Sequence, residues 1–152
     1  MKNIFDISKY RNILKRKLIN LLGLRDNNFH PLVFINGNPE IGDNVYIGLF
    51  SEINAANSKV KIGENCDIAS FVSINVADSH KKCIGLKDEI ERKKIIIEDN
   101  VFIGSHSFIG KGVKIGHSSV IGSGTILNTQ TNIPPYSLVV GNPAKIKEGY
   151  YK

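Results

Sequence analysis

The sequence predicts an all-β protein: a parallel β-helix of about five coils, preceded by a short amphipathic helix and carrying one long protruding loop. Three observations lead there. A branched aliphatic residue recurs every six positions over most of the chain, glycine follows many of these aliphatics, and the net positive charge is confined to the first 25 residues. The first two define the coil, and the third sets the N-terminal helix apart from it.

Residues 1–24 come first. Ile4, Ile7, Tyr10, Leu14, Leu18, Leu21 and Leu22 fall at helical spacing, with Lys9, Arg11, Lys15, Arg16 and Lys17 between them. Asn3 or Asp6 can cap the start and Gly23 the end. Residues 1–25 hold seven basic groups against one acid, which accounts for the whole net charge of +6 and leaves the remainder with 13 basic and 13 acidic groups. A neutral body argues against a broad nucleic-acid-binding surface. The expected helix packs its apolar stripe on the β-helix and turns its cations to water. The sharper alternative is a weak contact of residues 1–24 with an anionic membrane surface.

Residues 25–152 form the β-helical domain. Aliphatics stand at Ile35, Ile41, Ile47 and Ile53, at Ile62, Ile68 and Ile74, and then from Ile97 through Ile103, Ile109, Ile115, Ile121, Leu127 and Ile133 to Val139. A period of six suits neither an α-helix nor a simple alternating strand, but fits short strands joined by tight bends. Residues two apart share a face of a strand, so Val101 with Ile103 and Val113 with Ile115 point inward together. The glycines at 104, 110, 116 and 122 suit a bend that needs either positive φ or close backbone approach. Three such sides close one coil of about 18 residues, and stacked coils each bury a layer of Ile and Val. Three extra residues before Ile62 and a long excursion between Ile74 and Ile97, with its loop at 81–94, interrupt the count.

The bulk properties set the frame. A chain of 152 residues with 41% hydrophobic residues suits one domain with a real core. No apolar run approaches the roughly 20 residues that cross a bilayer, and the start, MKNIFDISKYRNILKRKL, scatters charge through any would-be signal-peptide core. Both point to the cytoplasm. Cys66 and Cys83 have no CxxC or zinc-ligand spacing and read as reduced thiols.

The stretch IEDNVFIGSHSFIGKGVKIGHSSVIGSGTILNTQTNIPPYSLVVGNPAK, residues 97–145, resembles the C-terminal half of the hexapeptide-repeat acyltransferases, which include galactoside, maltose, xenobiotic and cell-surface polysaccharide O-acetyltransferases. Its ending, IPPYSLVVGNPAK, is the most specific part, and the likeness extends over about residues 35–147. The resemblance implies a left-handed coil, a homotrimer, acetyl-CoA as donor and active sites in clefts between subunits. Left-handedness runs against the usual right-handed crossover between parallel strands, so it comes from the resemblance alone.

His80 ends the segment SINVADSH where the repeat stops, and the resemblance makes it the catalytic histidine. An imidazole there can take the proton of a weakly nucleophilic alcohol as it attacks a thioester, an effect of about 10² to 10⁴ in rate. Asp78, two residues upstream, is a supporting or substrate-binding candidate, although strand alternation alone does not turn it toward His80. The family likeness places Ser105 and Ser123, 18 apart and hence on adjacent coils, along the pantetheine of the donor, and Asn128 and Lys145 near its nucleotide end. A cation at Lys145 suits phosphate. Two extra residues in LNTQTNIPP blur the alignment at Asn128.

For the acceptor, Asn54 and Asn57 of INAANS could meet a sugar hydroxyl or hold a turn, the commoner task of Asn in such a stretch. His106 and His117 occupy solvent-side positions and are 11 apart, unsuited to a zinc site on adjacent coils, so no metal is expected. His30 has no assigned role. The expected activity is transfer of acetyl from acetyl-CoA to a sugar hydroxyl of a surface polysaccharide or its precursor. Acetylation of an amino sugar, free or nucleotide-linked, or of an antibiotic shares the chemistry. A non-catalytic β-helical scaffold is the alternative of another class.

Overall fold

The computed structural model describes residues 7–21, 23, 29, 32–128 and 130–152. His30, the residues expected to cap the helix start and the apolar positions Ile4 and Leu22 lie outside the described residues. The body is a parallel β-solenoid of three sheets and five turns. The first sheet stacks Phe34–Asn36, Glu52–Asn54, Ser73–Asn75, Phe108–Ile109 and Ile126–Leu127. The second stacks Glu40–Ile41, Val60–Ile62, Ile95–Ile97, Lys114–Ile115 and Asn132–Ile133, and the third Tyr46–Ile47, Asp67–Ile68, Phe102–Ile103, Val120–Ile121 and Leu138–Val140.

The register turns the six-residue period into three columns of aliphatics. Ile35, Ile53, Ile74, Ile109 and Leu127 pair in sequence along the first sheet. Ile41, Ile62, Ile97, Ile115 and Ile133 do so along the second, and Ile47, Ile68, Ile103, Ile121 and Val139 along the third. From the second coil onward all of them are buried, while Ile35 and Ile41 at the N-terminal end are half-buried. The residue two before each aliphatic also points inward, as alternation requires. Where it is polar it serves a carbonyl: Ser107 Oγ donates to Gly122 O at 3.1 Å, Ser119 Oγ to Pro134 O at 3.1 Å and Ser137 Oγ to Pro134 O at 2.7 Å. A buried hydroxyl is tolerated when so paired.

Of the two reasons left open for the glycines after the aliphatics, the structure selects close approach. A Cβ on Gly104 would stand 2.5 Å from Ser123 N and one on Gly116 2.5 Å from Pro135 N, and neither glycine has positive φ. The left-handed backbone falls two residues after that glycine position, at Asn44, Phe50, Asn65, Phe71, Asn100, His106, Ser118 and Tyr136, and three after it at Asn57. Many of these are asparagine, the non-glycine residue that enters this region most readily. Successive corners stack: Phe71 lies over Phe50 with centroids 5.2 Å apart, and His106 lies 4.8 Å beyond Phe71.

Two features depart from the sequence reading. A short antiparallel strand, Lys145–Lys147, pairs with Leu138–Val140 and covers the edge of the third sheet at the C-terminal end. The N-terminal helix, Ile7–Leu21, does not lay its apolar stripe on the solenoid as expected. Tyr10, Leu14, Leu18 and Leu21 are 54, 65, 38 and 83% exposed, whereas Ile19, off that stripe, is buried. Lys15, one turn before Ile19 on the same side, donates to Phe29 O at 2.9 Å, so the Lys15–Ile19 side is the one held to the chain. Gly23 follows the helix at φ +63°, donating its N–H to Asn20 O, as a helix-ending glycine should. No helix among the described residues is long and apolar enough to cross a membrane.

Candidate active site

The excursion leaves the solenoid at the edge between the first and second sheets. Its neck is a two-residue antiparallel pair, Ala77–Asp78 with Glu91–Arg92, in which Asp78 lies opposite Glu91. A single helical turn, His80–Cys83, follows the first neck strand, and most of the segment beyond it is exposed. Ile84 and Leu86 stand 64 and 70% exposed there, so this loop is apolar at its surface as well as polar.

Alternation did not guarantee that Asp78 meets His80, but the helical turn between them brings the two together. His80 Nδ1 hydrogen-bonds Asp78 Oδ1, and the His80 backbone N–H donates to the same oxygen at 3.2 Å. Because an ionised carboxylate only accepts, the shared proton belongs to Nδ1, and in the neutral ring Nε2 then carries the free lone pair. The His80 side chain is 59% exposed, and access for a substrate is therefore open.

The other oxygen of Asp78 is engaged by a residue that sequence reasoning missed. Lys111 Nζ donates to Asp78 Oδ2 at 2.8 Å and to Glu91 Oε2, and Lys81 and Lys87 donate to Glu91 Oε1. Lys111 and then His80 hold the Asp78 carboxyl far below the usual carboxylate range. Lys111, Lys87 and Lys81 do the same for Glu91. Burial opposes the charge of Lys111, yet its two carboxylate partners hold the ammonium above the ordinary lysine value. The available signal was a lysine, in GKGVKIG, two residues after a core aliphatic, but nothing in the period relates it to a neck 33 residues earlier.

The remaining candidates fall elsewhere. Ser105 and Ser123 occupy successive turns at the edge between the third and first sheets, where Gly124 N donates to Ser105 O at 2.8 Å. That edge lies across the first sheet from His80, so a single chain does not unite the serines with the histidine. Asn128 is on His80's edge, two turns further along, and lines a cleft of 210 Å³ with Thr131, Asn142, Pro143 and Ile146. Lys145 is exposed beside it in the last strand. Asn54 belongs to a ladder: Asn36 Nδ2 donates to Asn54 Oδ1 and Asn54 Nδ2 to Asn75 Oδ1, each at 3.2 Å, and Asn54 Oδ1 also accepts Ala56 N–H. Asn57 is exposed at φ +56°. Both have turn-holding environments.

His106 is exposed and stacked on Phe71, and His117 meets Tyr136 edge-on while its backbone N–H donates to Glu98. Among the described residues no group of three or more His, Cys, Asp or Glu is placed to hold a metal ion. Cys66 is buried, which pushes its thiol up, and Cys83 is exposed. Two hollows, 530 Å³ beside Lys61, Lys114 and His117 and 750 Å³ beside Ile35 and Asn38, do not include His80.

Comparison with known proteins agrees with this architecture. A family model described as hexapeptide repeat of succinyl-transferase matches residues 40–75 and 94–129, the segments on either side of the excursion. No curated protein sequence matches the chain. Among solved structures, the polySia-specific acetyltransferase NeuO is 34% identical over 76% of this chain and 60% of its own, with a TM-score of 0.51. A maltose O-acetyltransferase from Clostridium difficile is 23% identical over 93% of this chain and 87% of its own, at 0.65. AntD, an N-acyltransferase from Bacillus cereus solved with dTDP-4-amino-4,6-dideoxyglucose and coenzyme A, is 17% identical over 82% and 70%, at 0.70. The matched repeats and the stacked aliphatic columns together make this chain a member of the hexapeptide-repeat acyltransferase family.

Proposed function

We propose that the protein transfers an acetyl group from acetyl-CoA to a hydroxyl of a sugar, in a surface polysaccharide or its precursor, with His80 as general base. The observation that carries this reading is the Asp78–His80 pair, which fixes a proton on Nδ1 and leaves Nε2 able to accept one. His80 Nε2 takes the acceptor hydroxyl's proton as its oxygen bonds to the thioester carbonyl carbon. When the carbon–sulfur bond breaks, His80 returns that proton to the leaving thiolate, so the base is regenerated in each cycle.

Ser105 and Ser123 would line the donor's pantetheine arm. The close approach at Gly104 keeps that edge free of a side chain, and Asn128 and Lys145 sit near the C-terminal end for its phosphates. Asn54 and Asn57 remain acceptor-side candidates. The separation of the serines from His80 across one sheet supports a cleft shared between two subunits, and the apolar outward residues Phe34, Phe102 and Tyr46 support assembly as a homotrimer. We place the reaction in the cytoplasm.

The likeness to NeuO and to a maltose O-acetyltransferase favours an oxygen acceptor, whereas the likeness to AntD favours a nucleotide-linked amino sugar as second reading. The test is thiol release from acetyl-CoA against a panel of oligosaccharides, amino sugars, their nucleotide-linked forms and antibiotics. Turnover with a hydroxyl sugar is expected. Release with amino sugars alone would move the assignment to N-acetylation, and no release with any acceptor would refute the enzymatic reading in favour of a scaffold.

A further inference from the structure

Lys111 occupies a corner position whose counterparts in neighbouring hexads, Asp99, Ser105, His117 and Ser123, are exposed or half-buried. It alone of these is buried, at 9% exposure. A buried ammonium is costly unless paired, and this one is paired twice, with two carboxylates that face each other across the antiparallel neck. Asp78 opposite Glu91 would be a repulsive cross-strand pair on its own. Lys111, reaching from the next coil of the solenoid, sits against one oxygen of each.

Building on the reading of His80 as base, we propose that Lys111 is a positioning residue for His80: it closes the neck of the excursion by bridging Asp78 and Glu91. In doing so it occupies Asp78 Oδ2 and leaves Oδ1 to orient the imidazole. The division of the carboxylate is visible in the contacts, with Oδ2 on Lys111 Nζ and Oδ1 on both the ring and the backbone N–H of His80. The same bridge sets the charge that the ring faces. The ring faces Asp78 and, behind it, Glu91 with the Lys111 ammonium between them, while Lys81 and Lys87 are drawn to the far oxygen of Glu91.

The signature is a pair of opposite shifts. In Lys111→Met both carboxylates lose their shared cation, so the charge next to His80 grows more negative and protonated imidazole is favoured. In Glu91→Gln the ammonium is shared with one carboxylate fewer, and protonated imidazole is disfavoured. The measurement is an NMR pH titration of the full chain, with the His80 signals assigned by their loss in His80→Ala.

The midpoint is expected to rise by about half a pH unit or more in Lys111→Met and to fall in Glu91→Gln. In Lys111→Arg, which keeps the cation, it should stay close to the wild type. If Lys111→Met does not fold, Glu91→Gln and Lys111→Arg still decide. Unchanged midpoints, or shifts of both variants in one direction, would overturn the proposal, since a Lys111 that serves only packing predicts no opposition of sign. The titration does not depend on turnover, so an active His80→Ala enzyme would remove the catalytic reading while leaving the setting of the ring by Lys111 separately measured.

Discussion

Replacing His80 by alanine tests the proposed base directly, because the proposed function gives catalysis, donor binding and folding to different residues. A positioned base contributes about 10² to 10⁴ in rate. No neighbour can substitute here, since Asp78 is held strongly ionised by Lys111 and makes a poor base. The loss should therefore fall in the upper half of that range, about 10³-fold or more in kcat, which is roughly 4 kcal/mol of transition-state stabilisation. A general base acts in the transition state rather than in ground-state binding, so acetyl-CoA affinity measured by calorimetry should stay within about twofold. The side chain is 59% exposed, and surface changes of this kind usually move stability by no more than about 0.5 kcal/mol, or about 2 °C in melting temperature. Turnover retained within tenfold, or a fall in rate matched by an equal loss of donor affinity, would refute the assignment.

Three further outcomes follow from the packing. Light scattering should give a particle of roughly 50 kDa, three times the 16.8 kDa chain, and a fully active monomer would rule out the shared cleft. Ile115→Ala should cost about 3–4 kcal/mol, because Ile97 and Ile133 hold the layers on both sides and the void cannot collapse. Ile133→Ala, with a partner on one side only, should cost about 2 kcal/mol, and urea unfolding in which Ile133→Ala is the worse of the two would contradict the column description. Liposomes rich in anionic lipid should retain the protein at low salt through the open Tyr10–Leu21 stripe and its neighbouring cations and release it at high salt, while deletion of residues 1–23 should lower the melting temperature by only about 5 °C, the share of buried Ile19. Failure to bind at any salt together with a large fall in melting temperature would show that the stripe packs against protein instead.

The columns of the solenoid were legible because the period states which side chains share a layer, and the ladder pairs them as that period requires. The corners were only half legible. The glycine at 104 or 116 marks a coil approaching too closely for a Cβ, and the left-handed residue is a less conspicuous Asn44, Phe71 or His106 further on. The strand Lys145–Lys147 has no apolar alternation to announce it, since its place depends on reversing over Leu138–Val140. For the N-terminal helix, spacing revealed a stripe at Tyr10, Leu14, Leu18 and Leu21 but not what it would face. Burial of Ile19 and the Lys15 hydrogen bond depend on where the helix sits, which no local pattern encodes.

The candidate site lies where the repeat carries least information, and the reason is physical. Within a regular hexad the aliphatic and the residue two before it are committed to the core, the glycine to close approach of coils, and the corner to left-handed backbone. Little remains for a base, its orienting acid or their counter-charge. An excursion escapes those demands, but a free loop could not hold an imidazole in one orientation. The neck resolves this by returning one carboxylate from each of its strands to a lysine that belongs to the regular solenoid, so the rigidity of the coil reaches His80 through Lys111 and Asp78. His80 could be proposed from the sequence because it stands where the repeat visibly stops, at the position the family resemblance gives to a histidine. The Lys111 bridge could not, because it joins an irregular segment to a regular one, and a period describes only the regular part.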